Sequence, residues 1–386
     1  ELDSNAAQDE DVHVEANGNV SCTGGLRVES GVHVEEGGGD FCGEVFVAAG
    51  AVLRFGSGTF NLLADASVYG DGALEVNCSL DAAQTGPGGR PIVNVLTANV
   101  SVGGGVTVRC GELRLHRRSS VEAPAVLHVV DDPHAGNGSL VTVVDTDASA
   151  PSSGPASVWR LRQTGGLVRV DGDLNVTDYY EGLGGSVSVA GTGTTHTCRY
   201  MQAGLDVTIT GPGRVLARCD AVWRSGDVGG VPSAADGEPA RLEFSGGLLL
   251  ESAAIKTLSH EALRVLVSSD MQWTGGDIHA TGTTAAACEW RLATNQTASV
   301  ASDVSFRSEP LGVGGATPKW TLVVDGKWRK TGGMDTHTLE PFMHLACDTP
   351  SSTLGVAAHM GRIRLKGGAS ACGTVDVGAN ATMAVE

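Results

Sequence analysis

Three sets of residues in this chain could do chemistry: its cysteines, its Asn-x-Ser/Thr triplets and its paired carboxylates. The nine cysteines are Cys22, Cys42, Cys78, Cys110, Cys198, Cys219, Cys288, Cys347 and Cys372. None forms a C-x-x-C pair and their spacings do not suit zinc, which leaves disulfide chemistry. Seven of the 11 asparagines head an N-x-[ST] triplet: Asn19, Asn77, Asn99, Asn137, Asn175, Asn295 and Asn380. Chance in a chain rich in Ser and Thr gives about two. Seven point to a secreted glycoprotein that carries N-linked glycans on surface asparagines.

The carboxylates are less eloquent. Asp131-Asp132, Asp145/Asp147 and Asp171/Asp173 are close pairs, the raw material of a glycoside-hydrolase dyad. None stands beside the N-T-D, G-H-G and R-I-K signatures of polygalacturonase-like enzymes, and they read as solvated turns. Gly37-Gly38-Gly39-Asp40 and Tyr69-Gly70-Asp71-Gly72 are fragments of Gly/Asp calcium turns but are not repeated in tandem. No G-x-S-x-G, H-E-x-x-H, P-loop or dinucleotide fingerprint is present. The expectation is therefore no catalytic residues, no metal site and no cofactor.

The elements that must position these residues show in the N-terminal repeat. Val12-His13-Val14-Glu15 recurs as Val32-His33-Val34-Glu35, Gly18 as Gly38, and Cys22 as Cys42, a period of about 20 residues. Between these copies lie short alternating runs such as Leu26-Arg27-Val28, Val45-Phe46-Val47 and Leu74-Glu75-Val76, each ending at Gly, Asn or Asp. Alternation of period two is the mark of a strand with one buried face. Strands this short inside such a repeat predict an all-β fold. It is a parallel β-helix, or β-solenoid, of about 20 residues per coil with protruding loops. Strand twist and crossover rules predict a right-handed coil. Val, Leu and Ile then fill the core, and His13, Glu15, Arg27, Glu29, His33 and Glu35 face water, with His13 stacked on His33. Residues 81–91 and 228–240 read as protruding loops, and Ser259 to Val267 as the one stretch fit for a helical turn. Residues 147–157 read as a boundary between an N-terminal segment 1–157 and a C-terminal segment 158–386, two pieces or one continuous rod.

In such a stack, positions one coil apart lie about 4.8 Å apart, within the reach of a disulfide. Cys22–Cys42 and Cys198–Cys219, each about one coil apart in sequence, are the expected bridges between coils. Cys347–Cys372 and Cys78–Cys110, more widely spaced, are the further candidates, and Cys288 is left over. That last thiol is either buried as a small hydrophobe or bonds another chain. A second motif, an aromatic followed by a glycine pair, occurs at Trp273-Thr274-Gly275-Gly276, Trp328-Arg329-Lys330-Thr331-Gly332-Gly333 and, loosely, Tyr180-Glu181-Gly182-Leu183-Gly184-Gly185. It reads as Trp capping a core edge beside a tight turn.

Together with Ile255-Lys256-Thr257-Leu258 and Cys372-Gly373-Thr374-Val375-Asp376-Val377, these motifs resemble the β-helical repeat regions of large microbial cell-surface proteins of the autotransporter and adhesin type. The resemblance covers roughly residues 165–386 and, more loosely, the first 80. It implies passive surface or filament roles and no shared catalytic residues. The cysteines and sequons depart from it and suit a eukaryotic microbe.

Composition bounds the rest. Gly is 55 of 386 residues, aromatics are 4% and the net charge is −18. The acidic balance argues against nucleic acid, and no run of 18 apolar residues exists to enter a membrane. The chain opens Glu1-Leu2-Asp3 without Met, as a processed product does. The expected function is a non-enzymatic extracellular structural glycoprotein. It is a subunit of a filament, wall or surface appendage, self-associating head to tail through uncapped solenoid ends. The alternative is a cell-surface adhesin or glycan-binding module, with loops 81–91 or 228–240 or the pair Tyr179/Tyr180 as the contact. A β-helix enzyme acting on polysaccharide is the third reading.

Overall fold

The computed structural model describes residues 12–13, 25–35, 37–78, 90–130, 138–144, 154–190, 193–210, 212–231, 239–259, 263–282, 288–310, 320–345, 355–366, 369–371 and 374–386. All regular structure among them is strand, and the strands pair in parallel. No described helix is long and apolar enough to cross a membrane. The chain divides into two compact units, Glu1–Ser188 with Gly193–His196, and Val189–Thr192 with Thr197–Glu386. Ser157 and Val158, at the expected segment boundary, lie inside strand Ala156–Gln163 of the first unit.

In the first unit, from Leu26–Val28 to Asn99–Val102, each strand pairs with the third one along, which is the signature of three strands per coil. One face stacks Leu26–Val28, Glu44–Val47, Ser67–Gly70 and Asn99–Val102. A second stacks Val32–Glu35, Val52–Phe55, Ala73–Val76 and Val106–Val108. The third stacks Gly39–Phe41, Thr59–Leu62, Ile92–Val95, Gly111–His116, Ser139–Val144 and Leu167–Val170. The first two faces merge at Ser120–Val129, which pairs with both Asn99–Val102 and Val106–Val108. Pro124 lies inside the register shift between Val121 and Val126, where a residue without an N–H costs no ladder bond.

Stacking puts like on like. Val45, Val68, Val100, Val121, Val158 and Val176 succeed one another in a single column, each at most 2% exposed. A β-branched side chain is restricted at χ1, so identical neighbours nest with few alternatives. Full burial contributes roughly 1.5 kcal/mol or more per valine.

The repeat read from the sequence holds from Val32 to Val52. The coil lengthens where the chain detours: Thr59 pairs with Ile92, and the expected loop 81–91 lies between them. Residues 81–89 of that loop lie outside the described ones.

Two expectations are corrected. Val12 pairs with His33, not Val32, so the first step is longer than the repeat by a single position. His33 and Glu35 then fall on the columns of Leu53 and Phe55 and are 4% and 5% exposed, instead of facing water. His33 does not stack on His13, whose partner is Val34. A V-H-V-E run alternates equally well either way, and a one-residue slip turns every side chain over. The inward register is tolerated because His33 Nε2 and Glu35 Oε1 lie 2.7 Å apart and satisfy each other. Arg27 and Glu29 do face water, as an ion pair. The second correction concerns Ser259 to Val267, which forms no helical turn among its described residues. Lys256–Ser259 and Leu263–Val267 are strands, because Leu263, Val265 and Val267 alternate into the core.

The second unit repeats the three-face plan. One face runs Arg214–Ala217, Ala240–Phe244, Leu263–Val267, Cys288–Leu292, Trp320–Val324 and Phe342–Leu345. The next runs Leu248–Leu250, Met271–Trp273, Thr297–Val300, Lys327–Lys330, Gly355–Ala358 and Thr374–Val377. The last runs Lys256–Ser259, Ile278–Gly282 and Ser305–Pro310, then Thr336–Leu339, Gly361–Leu365 and Ala381–Val385. Strand Ala221–Val231 serves two of these faces at once. It absorbs residues 228–231 of the segment read as loop 228–240, because Val228 and Gly230 stack on Val207 and Ile209.

Candidate functional site

Among the described residues two cysteine pairs bridge neighbouring coils. Cys198–Cys219 joins them with Cα atoms 4.8 Å apart. The coil stacking alone brings those backbones together, since the Cys219 N–H donates to the Cys198 carbonyl. Cys78–Cys110 spans 5.3 Å and closes the coil that carries the 81–91 insertion. Cys42 is disulfide-bonded; Cys22, its expected partner, lies outside the described residues, as do Cys347 and Cys372. Cys288 is buried on a core column beside Trp320, and burial pushes its thiol pKa up. Of its two readings, the small buried hydrophobe is the one this position fits.

Five sequon asparagines are described and none is buried. Asn99, Asn295 and Asn380 are exposed, and Asn77 and Asn175 are half-buried. Asn295 sits in a turn with φ 65°, a left-handed conformation that asparagine tolerates. Asn99 and Asn175 share one outward column through Ser120 and Ser157, three coil steps or about 14 Å apart. Asn19 and Asn137 lie outside the described residues.

Of the carboxylate pairs only Asp171/Asp173 is described. Asp171 accepts from Arg169 at 2.9 Å and Asp173 is exposed, while Asp131, Asp132, Asp145 and Asp147 lie outside the described residues. Asp40 heads an outward amide ladder: Asn61 Nδ2 donates to it at 2.7 Å, and Asn94 Nδ2 donates to Asn61 Oδ1 at 2.7 Å. Among the described residues no group of three or more His, Cys, Asp or Glu could hold a metal. The tyrosine pair is corrected as a sugar platform. Consecutive strand residues face opposite ways, and Tyr180 is 2% exposed, its hydroxyl donating to Gln163 Oε1 at 2.7 Å.

The aromatic–glycine motifs hold the richest constellation, and it is internal. Trp273 and Trp328 are in the core, and Trp273 Nε1 donates to the Gly276 carbonyl at 2.8 Å. The turn requires glycine: Gly276 has φ +70°, and a Cβ there would strike the Ala254 carbonyl and the Lys256 ammonium. That lysine is fully buried. It donates to the Gly275 carbonyl at 3.0 Å and the Ala254 carbonyl at 3.4 Å, stitching one coil's turn to the next. Burial lowers its pKa to about 8. Lys330, equally buried, does the same work further along, on the Gly332 carbonyl at 2.7 Å and Asp303 Oδ1 at 2.6 Å.

His337 completes the cluster. Its ring stacks on Trp328, with centroids 6.0 Å apart and 12° between planes, and meets Trp273 edge-on at 5.4 Å. Trp328 Nε1 donates to His337 Nε2 at 3.2 Å, and Nδ1 lies against the Val304 carbonyl. That arrangement wants the neutral tautomer with its proton on Nδ1, and burial lowers the pKa to about 4. Sequence reasoning saw the motif but not this content. Nothing in K-T-L or W-R-K marks a lysine as internal. The signal available was its place in the alternation, two residues from a core Leu or Trp.

Sequence reasoning also missed a run of arginines. Arg214, Arg241 and Arg264 stand in register on successive strands of one outward face. Their unequal separations along the chain hide them in the linear sequence.

No protein-family model, curated protein or solved structure matches the chain.

Proposed function

We propose that the chain is an extracellular structural glycoprotein whose coils add head to tail, a passive building block of a filament, wall or surface appendage. The observation that carries the association is the coil-on-coil pairing itself: Gly355–Ala358 pairs along its length with Thr374–Val377, and Gly361–Leu365 with Ala381–Val385. Val375, Val377 and Val385 continue the core columns and are 52%, 44% and 60% exposed among the described residues. Such a surface accepts one more coil, from further chain or from a second copy, and in the proposed assembly a second copy supplies it. Disulfides that join neighbouring coils and sequon asparagines on the surface support the extracellular assignment.

Sedimentation of the purified protein tests the association. Concentration-dependent oligomers that vanish in V375K/V377K, with an unchanged melting temperature, are expected. A monomer at all concentrations, or oligomers indifferent to those substitutions, removes the head-to-tail reading. Release of N-glycans by an endoglycosidase, read by intact mass, tests the glycoprotein reading separately.

A further inference from the structure

One outward face of the second unit concentrates positive charge on a chain whose net charge is −18. Arg214, Arg241 and Arg264 form one column, and Glu289 follows Arg264. The next outward column, two residues along, runs Leu216, Glu243, Leu266 and Arg291. Steps along a parallel column are about 4.8 Å, so like charges here repel. The two carboxylates answer the ends of the group. Glu243 pairs with Arg214, and Glu289 lies 3.2 Å from Arg291, which also reaches Asp325 at 3.4 Å. Arg264, the last arginine of its column, is exposed and makes no ion pair among the described residues. Between these side chains lies a cleft of about 300 Å³, lined by Arg241, Glu243, Arg264, Leu266, Glu289 and Arg291.

We propose that this cleft binds an acidic sugar, a uronic-acid unit of a glycan. Its carboxylate lies on Arg264, and its ring hydroxyls donate to Glu243 and Glu289. Three features select that chemistry. A guanidinium fork matches a planar carboxylate with two parallel hydrogen bonds. The two glutamates can only accept, so they favour a ligand rich in hydroxyl donors over phosphate, which offers few. Leu266 gives the sugar ring an apolar floor, and the volume suits a small ligand. The overall negative charge does not forbid this, because at physiological ionic strength charges beyond about 8 Å are screened. This site goes beyond the structural role above and does not depend on it.

Calorimetric titration of the folded chain tests it, with a galacturonic-acid tetrasaccharide as the probe and maltotetraose and inorganic phosphate as comparisons. The acidic tetrasaccharide is expected to bind with a Kd of about 1 mM or tighter. Arg264→Ala should weaken it at least about tenfold, and Arg264→Lys should weaken it too, since a point charge lacks the fork. Arg169→Ala, whose ion pair is on the first unit, should change nothing. Arg264 is exposed, so its variants should melt with the wild type. Absence of binding at about 10 mM tetrasaccharide, or an unchanged Kd in Arg264→Ala, overturns the proposal. Phosphate or maltotetraose binding as tightly as the acidic sugar overturns the assignment to a uronic acid.

Discussion

The internal cluster at Trp273, Trp328, Lys256, Lys330 and His337 ties the chemistry of single residues to stability. His337 titrates near 4 in the folded state because burial opposes its charged form, against about 6.5 when unfolded. The unfolded chain therefore takes up the proton first as pH falls. The contribution of this residue is complete above pH 6.5 and is lost progressively towards pH 4. Melting temperatures across that window should fall for the wild type and fall less steeply for His337→Gln. A slope identical in the two proteins would show that His337 does not control the acid limb. Lys256 gives a second window. Its folded pKa of about 8 lies below the unfolded value, so its contribution is greatest above about pH 10.4 and declines as pH drops towards 8. Lys256→Met should remove that rise, measured as the difference between the two stability curves from pH 8 to 10.

The strand is the scale at which the fold was most legible. Runs such as Leu74-Glu75-Val76, closed by Asn77, state a period of two and a stop, and each is a strand of the stack. The coil period was legible only where no detour intervenes, since Thr59 and Ile92 are neighbours across the 81–91 insertion. Register was less legible. His33 and Glu35 are read as outward because polar residues usually are, and their pairing two residues apart on one strand is open to them on either face, so it does not reveal the inward one. The same limit hid Lys256, whose partners are turn carbonyls on two different coils.

Column continuity makes the strands interdependent. Val121 sits between Val100 and Val158 in an unbroken valine column. Val121→Ala should cost about 2 kcal/mol, the lost transfer energy plus a cavity that stiff neighbours cannot fill. Denaturant unfolding checks this, and a loss below about 0.5 kcal/mol would mean that the column relaxes. Removing either end of Cys198–Cys219, which closes 21 residues, should cost about 3 kcal/mol by the loop-entropy argument. The cost should appear as a lower denaturation midpoint without loss of the strand signal.

At the scale of the whole molecule, charge opposes the role proposed for the exposed coil. A net charge of −18 makes any two copies repel. The force that would join them is the burial of Val375, Val377 and Val385, which salt does not screen. Association should therefore strengthen with ionic strength. At 0.01 M salt the Debye length is about 30 Å and repulsion acts across much of each molecule, whereas at 0.15 M it shrinks to about 8 Å. Binding of an acidic sugar at Arg264 should move the other way, because that attraction is electrostatic and is screened by the same ions. Sedimentation and sugar titration run over one salt series thus separate the two surfaces. Self-association that weakens with added salt would mean that opposite charges, not open core columns, bring the copies together, and V375K/V377K would then leave it intact.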